Sequence, residues 1–238
     1  FIDMELCQLD SFYLYNLNHY NKIVNQRNKL LKDLYLNPSL KDTLNIWDSQ
    51  LVSYGSKLIE RRILFIEQIN QIIYDIHRSL SGDKENLKIH YEPDTNINNY
   101  EKELFNNQER DIKLKQTTVG PHRDDISFMV TKVSEDGLKD KEIDIRKFGS
   151  QGQQRTAALA LKLSEIEIVK KITKDTPILL LDDVLSELDS NRQTYLLNSI
   201  GNIQTIITCT GLDEFVNHRF EINKVFKIIN GTIEEASK

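Results

Sequence analysis

The sequence predicts an α/β protein, in which a sheet covered by helices follows a pair of long helices. Heptad-like apolar repeats run through about the first 80 residues and are typical of packed helices. Short apolar runs alternate with helical patterns in the last third, as in sheets that carry helices on their faces. A helix that begins near Gln154 is apolar on two sides, which indicates burial between layers. We expect a helical arm over residues 1–82 and a head portion over residues 83–238.

Composition narrows the class of protein. The 238 residues are 39% hydrophobic and 28% charged, and no apolar run is long enough to cross a membrane, so we predict a soluble, cytoplasmic protein without a membrane partner. Cys7 and Cys209 fit no metal or disulfide spacing, which favours a reducing compartment. The net charge of −5 argues against a wholly basic nucleic-acid coat but allows a local basic face. Because the sequence begins at Phe1 rather than Met, we expect a fragment of a longer chain.

Two apolar seams define the helical part. The first begins after Asp10, has Arg27 as its one polar step, and consists of Tyr13, Leu17, Tyr20, Val24, Leu31 and Leu34. Pro38 breaks this pattern. The second seam consists of Leu44, Trp47, Leu51, Tyr54, Leu58, Phe65, Ile69, Ile72 and Ile76. Two long helices joined by a short turn bury their seams against each other, so the pattern predicts an antiparallel helix pair that ends near Gly82.

The region after Gly82 mixes strand and helix patterns. The segment "LKIHYEP" predicts a strand, "NNYEKELFNNQERDIKLKQ" a charged helix, and "DISFMVTKVSEDGLKDKEIDI" a β-hairpin that turns at "EDG" and directs Ile126, Phe128 and Val130 to the core. From Gln154 onward a helix carries two apolar stripes. One stripe is Ala157, Ala158, Leu161, Ile168, Val169 and Ile172, and the other is Leu159, Leu163 and Ile166.

Two carboxylates follow a short apolar strand. The segments "PILLLDD", "QTIITCT" and "KVFKIIN" predict strands, and the first places four apolar residues in a buried strand with Asp182 and Asp183 at its carboxyl end. Ligands of open α/β sheets bind at that edge. A Walker B strand would use Asp182 to hold Mg²⁺ and Asp183 to polarise the water that attacks a γ-phosphate. An ordinary turn is the alternative, since Asp-Asp is common in turns.

The surrounding sequence favours the Walker B interpretation. "DDVLSELDS" adds a D-loop pattern of the kind found in ABC-type ATPases, with Ser186 and Asp189 as its residues. "GSQGQQR" lies where such proteins carry their signature motif, at the start of a buried helix, where free N–H groups and the helix dipole favour a phosphate. The signature residues are Ser150, Gln151, Gly152 and Gln153, with further side-chain donors from Gln153 and Gln154. The alternative is a plain helix cap at Ser150.

These blocks closely resemble the RecF family of bacterial recombination mediators, relatives of the SMC-type ATPases. The resemblance covers essentially the whole chain and is carried by "FIDMELCQLD", "QRNKLLK", "WDSQL", "TTVGPHRDD", "FGSQGQQRTAALALKLSEIE" and "ILLLDDVLSELD". The last two blocks are highly specific together. The resemblance implies part of an ABC/SMC-type ATPase head with a helical arm.

The same resemblance implies a function. It implies ATP and Mg²⁺ as cofactors, weak ATPase activity, and an ATP-dependent homodimer. It further implies binding to single- and double-stranded DNA and gap junctions, and work with RecO and RecR in loading recombinase at gapped DNA. DNA replication, repair, recombination and the SOS response are the processes concerned.

The sequence departs from the family pattern at several places. It contains no "GxxxxGK[ST]" loop, which cradles the β- and γ-phosphates, so we expect a match to the family's C-terminal two-thirds, inactive as an enzyme alone. Cys209, between Thr208 and Thr210, stands where ABC proteins have a switch His, and a sensor role for either threonine competes with turn packing. His122 and Arg123 could face nucleotide or DNA. The alternative for Arg123 is an ion pair with Asp124 or Asp125.

Other interpretations remain open on the sequence. A purely structural SMC-like head and arm fragment would share the helical seam without hydrolysing ATP. A GTPase or kinase of another P-loop group could end a strand in Asp-Asp, although "SQGQQ" counts against that class. The candidate DNA contacts, which could equally be a solvated helix face, are Lys22, Arg27, Lys29, Arg61 and Arg62.

Overall fold

The computed structural model describes residues 1–133, 141–185, 188–209 and 223–236. The chain forms two compact units, Phe1–Asp175 and Thr176–Lys238. The elements of the first unit are α1 (Ile2–Leu9), α2 (Ser11–Asp33), α3 (Leu44–Ser81), β1 (Glu85–Glu92), α4 (Tyr100–Leu114), β2 (Asp125–Lys132), β3 (Ile143–Asp144), α5 (Ile145–Phe148) and α6 (Gln151–Thr173). Those of the second are β4 (Leu179–Asp182), α7 (Ser190–Ser199), β5 (Thr205–Thr208), β6 (Val225–Ile229) and β7 (Thr232–Ala236).

Helices α2 and α3 pack antiparallel along the predicted seams. Asp10 caps α2 through the Phe12 and Tyr13 amides and also pairs with Arg61 near the middle of α3, at 2.7 Å. A 3₁₀ turn over Pro38–Thr43 separates the two helices. Helix α3 also packs against β1 and α6, so the helix pair belongs to the same compact unit as the sheet. The assignment of residues 1–82 to a separate arm stays a prediction.

Arg27, the polar step of the first seam, lies in a fully buried ion network. Its Nε donates to Asp48 of α3 at 2.6 Å, and its Nη1 donates to Asp111 of α4 at 2.6 Å and to Thr117 at 3.0 Å. Asp111 also accepts hydrogen bonds from the backbone and hydroxyl of Thr118. The network therefore ties α2, α3, α4 and the segment after α4 together.

The three-stranded sheet has the order β1-β2-β3, and both pairings are antiparallel. The hairpin formed by β2 and β3 was predicted, while its "EDG" turn lies outside the described residues. The predicted alternation on β2 is wrong in part. Val130 is fully buried, but Ile126 and Phe128 are half-buried and Ser127 is only 2% exposed. Because successive side chains lie on opposite faces of a strand, the burial of both Ser127 and Val130 means that both faces of β2 are covered in part.

Helix α6 is buried on several sides, as its two stripes predict. Ala157, Leu161 and Ile168 of one stripe and all three residues of the other are buried, whereas Ala158 and Ile172 at the ends of the first stripe are exposed. The helix packs against α3. Its burial includes one carboxylate, Glu165, which is 7% exposed.

We expect Glu165→Gln to stabilise the chain in a pH-dependent way. Burial raises the pKa of Glu165 to about 7, and the Glu5 charge adds to this rise while Lys162, at 2.9 Å, opposes it. The folded state therefore holds this proton more tightly than the unfolded state, so stability falls as pH rises from about 4.5 toward 7. The glutamine should raise the free energy of unfolding by about 3 kcal/mol at pH 8.

Urea denaturation at about pH 4 and at pH 8 tests this expectation. At the lower pH the wild-type carboxyl is protonated in both states, and the gain should disappear. The matched control is Glu167→Gln, because Glu167 also pairs with a lysine three residues away but is half exposed. An equal effect of Glu165→Gln at both pH values would contradict the assignment.

The second unit contains two small sheets in its described part. Strands β4 and β5 are parallel, with Asp182 opposite Thr208, and β6 and β7 form an antiparallel hairpin. The prediction of a fully buried strand at "ILLLDD" is wrong. Leu181 is 8% exposed, but Ile178 and Leu180 are 60% and 69% exposed. The physical reason is that β4 pairs only with β5 in the described part, and the described residues leave the side chain of Leu180 uncovered.

Candidate nucleotide site

The start of α6 carries the predicted signature motif. Ser150 is the N-cap residue, and its hydroxyl accepts a hydrogen bond from the Gln153 amide at 3.3 Å. Gln153 Oε1 in turn accepts from the Ser150 amide at 2.8 Å. This capping box uses the Ser150 hydroxyl within its own helix, as the plain-cap alternative expected. It also fixes the orientation of the first turn.

The side-chain amides of Gln153 and Gln154 are each engaged within the unit, and because each nitrogen carries a second N–H, their role as nucleotide donors stays a prediction. Gln153 Nε2 donates to Glu85 Oε1 at 2.7 Å, and Gln154 Nε2 donates to the Ile145 carbonyl at 2.9 Å. Both side chains anchor the helix start to the rest of the unit. The backbone N–H groups of Gln151 and Gly152 differ, because neither donates a hydrogen bond to any residue that the structure describes.

The two glycines of the motif have different roles. A Cβ atom at Gly149 would lie 2.5 Å from the Ile145 carbonyl oxygen, so packing requires glycine there. A Cβ atom at Gly152 would approach only the Ser150 hydroxyl, at 4.0 Å. Glycine inside a helix costs roughly 0.5–1 kcal/mol relative to alanine. Neither packing nor an unusual φ in this structure requires glycine at position 152.

The second group of candidate residues lies at the carboxyl end of β4. The Thr208 hydroxyl donates to Asp182 Oδ1 and accepts from the Asp183 amide at 3.2 Å, while the Asp183 amide also donates to the Thr208 carbonyl at 3.1 Å. Asp183 adopts a left-handed backbone with φ 52°, which Asp and Asn tolerate better than most residues. Thr208 thus orients both carboxylate-bearing residues, a role that the sequence analysis did not assign to it.

The structure describes only some of the remaining candidate residues near β4. Ser186 of the D-loop pattern and Thr210 lie outside the described residues. Asp189 is the N-cap of α7, where it accepts from the Asn191 and Arg192 amides and pairs with Arg192 at 2.7 Å. Cys209 is exposed. A cap explains Asp189 structurally, and its D-loop role stays a prediction.

The "GPHRDD" block forms a structural junction in which Gly120 and Pro121 are buried. Gly120 has φ 133°, and a Cβ atom there would lie 2.5 Å from the hydroxyls of both Tyr20 and Tyr100. His122 lies between the Tyr20 hydroxyl, at 2.7 Å, and the Thr117 carbonyl, at 3.1 Å. Burial lowers the pKa of His122, which favours the neutral ring. These contacts give His122 a packing role.

The ion pairs of this block differ from the predicted ones. Asp124 pairs with Arg62 at 2.7 Å, and Asp125 accepts two hydrogen bonds from Arg146 at 3.0 and 2.9 Å. The alternative of an ion pair from Arg123 to either aspartate is therefore wrong, and Arg123 is exposed. The carboxylates are engaged by arginines that lie far from them in sequence.

The candidate DNA contacts separate by exposure. Arg27 is 0% exposed and Arg62 is 6% exposed, and each is paired with buried carboxylates. Neither can present its charge to a phosphate in this structure, so these two predictions are wrong. Arg61 is half-buried and paired with Asp10. Lys22 and Lys29 are exposed on α2 and stay candidates.

The donor set at β4 fits Mg²⁺ better than a transition metal. Carboxylate and hydroxyl oxygens are hard ligands, and Mg²⁺ in nucleotide sites uses one or two carboxylates together with waters and phosphates. Among the described residues, no group of three or more His, Cys, Asp or Glu side chains could hold a metal by itself. None of the helices in that part of the chain is long and apolar enough to cross a membrane.

Comparison with known proteins gives the same result for sequence and for fold. No family model matches the chain. It is 59% identical over 235 residues to the DNA replication and repair protein RecF of Lachnospira eligens, 58% identical over 234 residues to that of Agathobacter rectalis, and 42% identical over 239 residues to that of Clostridium perfringens strain 13. The matches cover 98% of this chain, which spans about 62% of the length of the first two relatives and 63% of that of the third.

Two solved structures of the recombination mediator protein RecF in the RecFOR pathway also match. The complex with ATP superimposes with a TM-score of 0.84 at 33% identity, covering 99% of this chain and 61% of that one. The complex described as RecF-ATPrS gives a TM-score of 0.81, again at 33% identity, covering 99% of this chain and 62% of that one. The predicted α/β class is confirmed. By sequence and by fold, the chain matches the C-terminal portion of RecF proteins, as its motif blocks indicated.

Proposed function

We propose that this chain supplies the signature helix and the Walker B strand of an ATP-dependent, dimerising DNA-binding protein. The protein acts as a recombination mediator in DNA repair and replication, including gap repair and the SOS response, and has weak ATPase activity. The names of its relatives, DNA replication and repair proteins, support the process. Their complexes with ATP support the nucleotide.

The observation that carries the proposal is the open N-terminus of α6. Gly152 lowers helix propensity without a packing reason in this structure, and the amides of Gln151 and Gly152 have no acceptor among the described residues. A phosphate at this position would accept hydrogen bonds from both amides and lie at the positive end of the helix dipole. A bare glycine allows its oxygens to approach the backbone closely.

The phosphate contacted by this helix end belongs to a nucleotide on a second copy of the protein. The capping box orients the first turn, where Gln151 is exposed and Gly152 is half-buried, so a partner surface could reach both amides. Such a dimer buries ATP between the two copies, so the nucleotide stabilises the dimer by mass action. DNA, RecR and RecO are the further partners that we propose, with the cytoplasm as the compartment.

At the carboxyl end of β4, Asp182 would hold Mg²⁺, which when bound neutralises charge on the phosphates. The Thr208 hydroxyl holds the Asp182 carboxylate in position through a hydrogen bond. The Asp183 backbone amide is shared between the carbonyl and hydroxyl oxygens of Thr208, and its carboxylate would accept a proton from an attacking water. This arrangement assigns metal orientation to one carboxylate and proton transfer to the next.

The chain by itself is expected to bind MgATP weakly and to hydrolyse none. Its sequence contains no "GxxxxGK[ST]" loop, whose backbone amides and lysine hold the β- and γ-phosphates. The start of α6 would contact a phosphate, and the carboxylates after β4 would orient a metal, but neither group of residues supplies such a loop. Isothermal titration calorimetry measures the affinity, and micromolar MgATP binding by the chain alone would contradict the expectation.

Two substitutions at the start of α6 test the proposal in the intact protein. Ser150→Arg places a bulky side chain beside the phosphate position and should remove ATP-driven dimerisation together with the ATP-dependent part of DNA binding. Gly152→Ala should raise the free energy of unfolding by about 0.5–1 kcal/mol, because alanine is the better helix former, while weakening ATP-driven dimerisation. Sedimentation with and without MgATP and a DNA titration over a salt series measure these effects.

The matched control is Gly149→Ala. That variant should lose stability, because its Cβ atom meets the Ile145 backbone, whereas Gly152→Ala meets open space. A Gly152→Ala protein that is more stable and yet dimerises poorly separates ligand contact from folding. A Ser150→Arg protein that still dimerises with ATP would refute the signature assignment. One that stays monomeric but binds DNA as tightly as the wild type would refute the link between dimer and DNA.

A further inference from the structure

Helices α2 and α3 carry a row of three adjacent aromatic rings, which we call the aromatic ladder and define as Tyr15, His19 and Tyr54. The Tyr15 and His19 ring centroids lie 4.0 Å apart with their planes tilted by 35°, and those of His19 and Tyr54 lie 5.3 Å apart and are stacked, with their planes 16° from parallel. Tyr15 is 55% exposed. His19 and Tyr54 are half-buried. The stacked rings therefore lie at the surface of the helix pair rather than in its core.

Local contacts hold the ladder in place. His19 Nδ1 lies 2.9 Å from the Tyr15 carbonyl oxygen, a bond across one helical turn that fixes the ring orientation. Lys57, one turn after Tyr54, places its ammonium 5.5 Å from the centroid of the Tyr54 ring. A pre-oriented stack loses little side-chain entropy when another flat ring is added.

The helix segments that carry the ladder contain no carboxylates close to it in sequence, in contrast to the net charge of −5 for the whole chain. Residues 11–32, nearly all of α2, include no Asp or Glu but do include the exposed lysines Lys22, Lys29 and Lys32. On α3, Asp48 is buried against Arg27, and Glu60 is the next carboxylate in sequence. The ladder thus lies on a locally cationic face.

We propose that the aromatic ladder is a stacking site for the unpaired bases of single-stranded nucleic acid. Proteins that bind single-stranded nucleic acid commonly use aromatic rings beside lysines. Every base has a flat face that can stack on such a ring, and every phosphodiester group carries a negative charge that attracts lysine. Bases within a duplex are already stacked on each other and cannot reach such rings. Asn18, three residues after Tyr15 on α2, is also exposed, and its polar side chain suits a nucleotide better than the apolar face of a protein helix.

This inference deepens the proposed DNA binding by naming one site and one form of the ligand. Tyr15, the most exposed ring and one end of the stack, would contact a base directly. Lys57 and Lys22 would contact the flanking phosphates. The site requires neither nucleotide nor dimer, so it can be tested on the chain as it stands, without ATP.

Fluorescence anisotropy with a labelled oligothymidine of about 15 nucleotides at low salt tests the site. We expect Tyr15→Leu and Tyr15→Leu/Tyr54→Leu to weaken binding by about tenfold or more, the size of a lost base stack, and the corresponding Phe variants to bind as the wild type does. Lys57→Gln should weaken binding and reduce its salt dependence. The control is Phe105→Leu on α4, which removes an aromatic side chain that is 65% exposed away from the ladder and should leave binding unchanged.

A second probe separates stacking from charge. An abasic strand of equal length should bind the wild type about tenfold more weakly than oligothymidine and should bind Tyr15→Leu equally weakly. The proposal would be overturned if the wild type bound the abasic strand as tightly as oligothymidine, or if Tyr15→Leu left oligothymidine binding unchanged. It would also be overturned if the wild type bound no single strand at low salt. Self-association of the wild type that Tyr15→Leu abolishes would assign the ladder to a second copy instead. Duplex binding and ATP-driven dimerisation are measured separately, so failure of the ladder leaves the proposed function standing.

Discussion

Arg27→Met is expected to lower the free energy of unfolding by about 3–5 kcal/mol, the usual cost of removing one partner from a buried ion network. The substitution leaves Asp48 and Asp111 without their shared cation, and Asp111 is completely buried. Methionine fills much of the space of the arginine, so the loss comes from uncompensated charge rather than from a cavity. Guanidinium denaturation followed by circular dichroism measures the change.

Lys29→Met is the matched control for this experiment. It removes a cation from an exposed position two residues further along the same helix and should change stability by less than about 0.5 kcal/mol. A loss of under about 1 kcal/mol for Arg27→Met would mean that the network contributes little to stability. In that case the burial of Arg27 would need another explanation.

Asp183→Asn in the intact protein is expected to slow ATP hydrolysis by roughly a hundredfold or more, the usual effect of a lost general base, while sparing ATP binding. Asparagine tolerates the left-handed backbone at φ 52°, so the turn should survive the substitution. Asp182→Asn should also weaken Mg²⁺-dependent nucleotide binding, because it replaces the carboxylate that Thr208 holds. Phosphate-release kinetics and MgATP titration measure both effects.

Thr208→Val is the graded variant of the same test. It keeps the β-branched shape suited to β5 but removes the hydroxyl that contacts both Asp182 and Asp183, so hydrolysis should slow less than in Asp183→Asn. Normal hydrolysis in both aspartate variants would make the Walker B assignment wrong. The alternative, a structural head fragment that does not hydrolyse ATP, would then be favoured.

Local periodicity predicted the main elements because it reports burial within one helix or strand. The seams of α2 and α3, the two-sided helix α6 and the strand at "LKIHYEP" all follow from such patterns. The exposed face of β4 could not be predicted in this way. A run of apolar residues predicts a buried strand, but the run itself does not show whether another layer packs against that strand.

The partners of polar side chains could not be predicted, because the residues that pair in space are distant in sequence. Arg27 pairs with Asp111, 84 positions away, and Gln153 donates to Glu85, 68 positions away. From sequence, Arg27 looked like a solvated cation and Gln153 like a free donor. The capping box at Ser150 was foreseeable, since it depends only on residues three positions apart.

The ion network at Arg27 also has a consequence for how this protein folds. A hairpin of α2 and α3 formed early would bring Arg27 to Asp48 but would lack Asp111 and Thr117, which arrive with α4 and the segment after it. The cation would then be desolvated with only part of its compensation, so the hairpin gains its full stability only when α4 docks. The amides of α2 and α3 and those of the three-stranded sheet should therefore be protected from hydrogen exchange together. The free energy of opening should be the same for both, because both exchange through global unfolding of the unit.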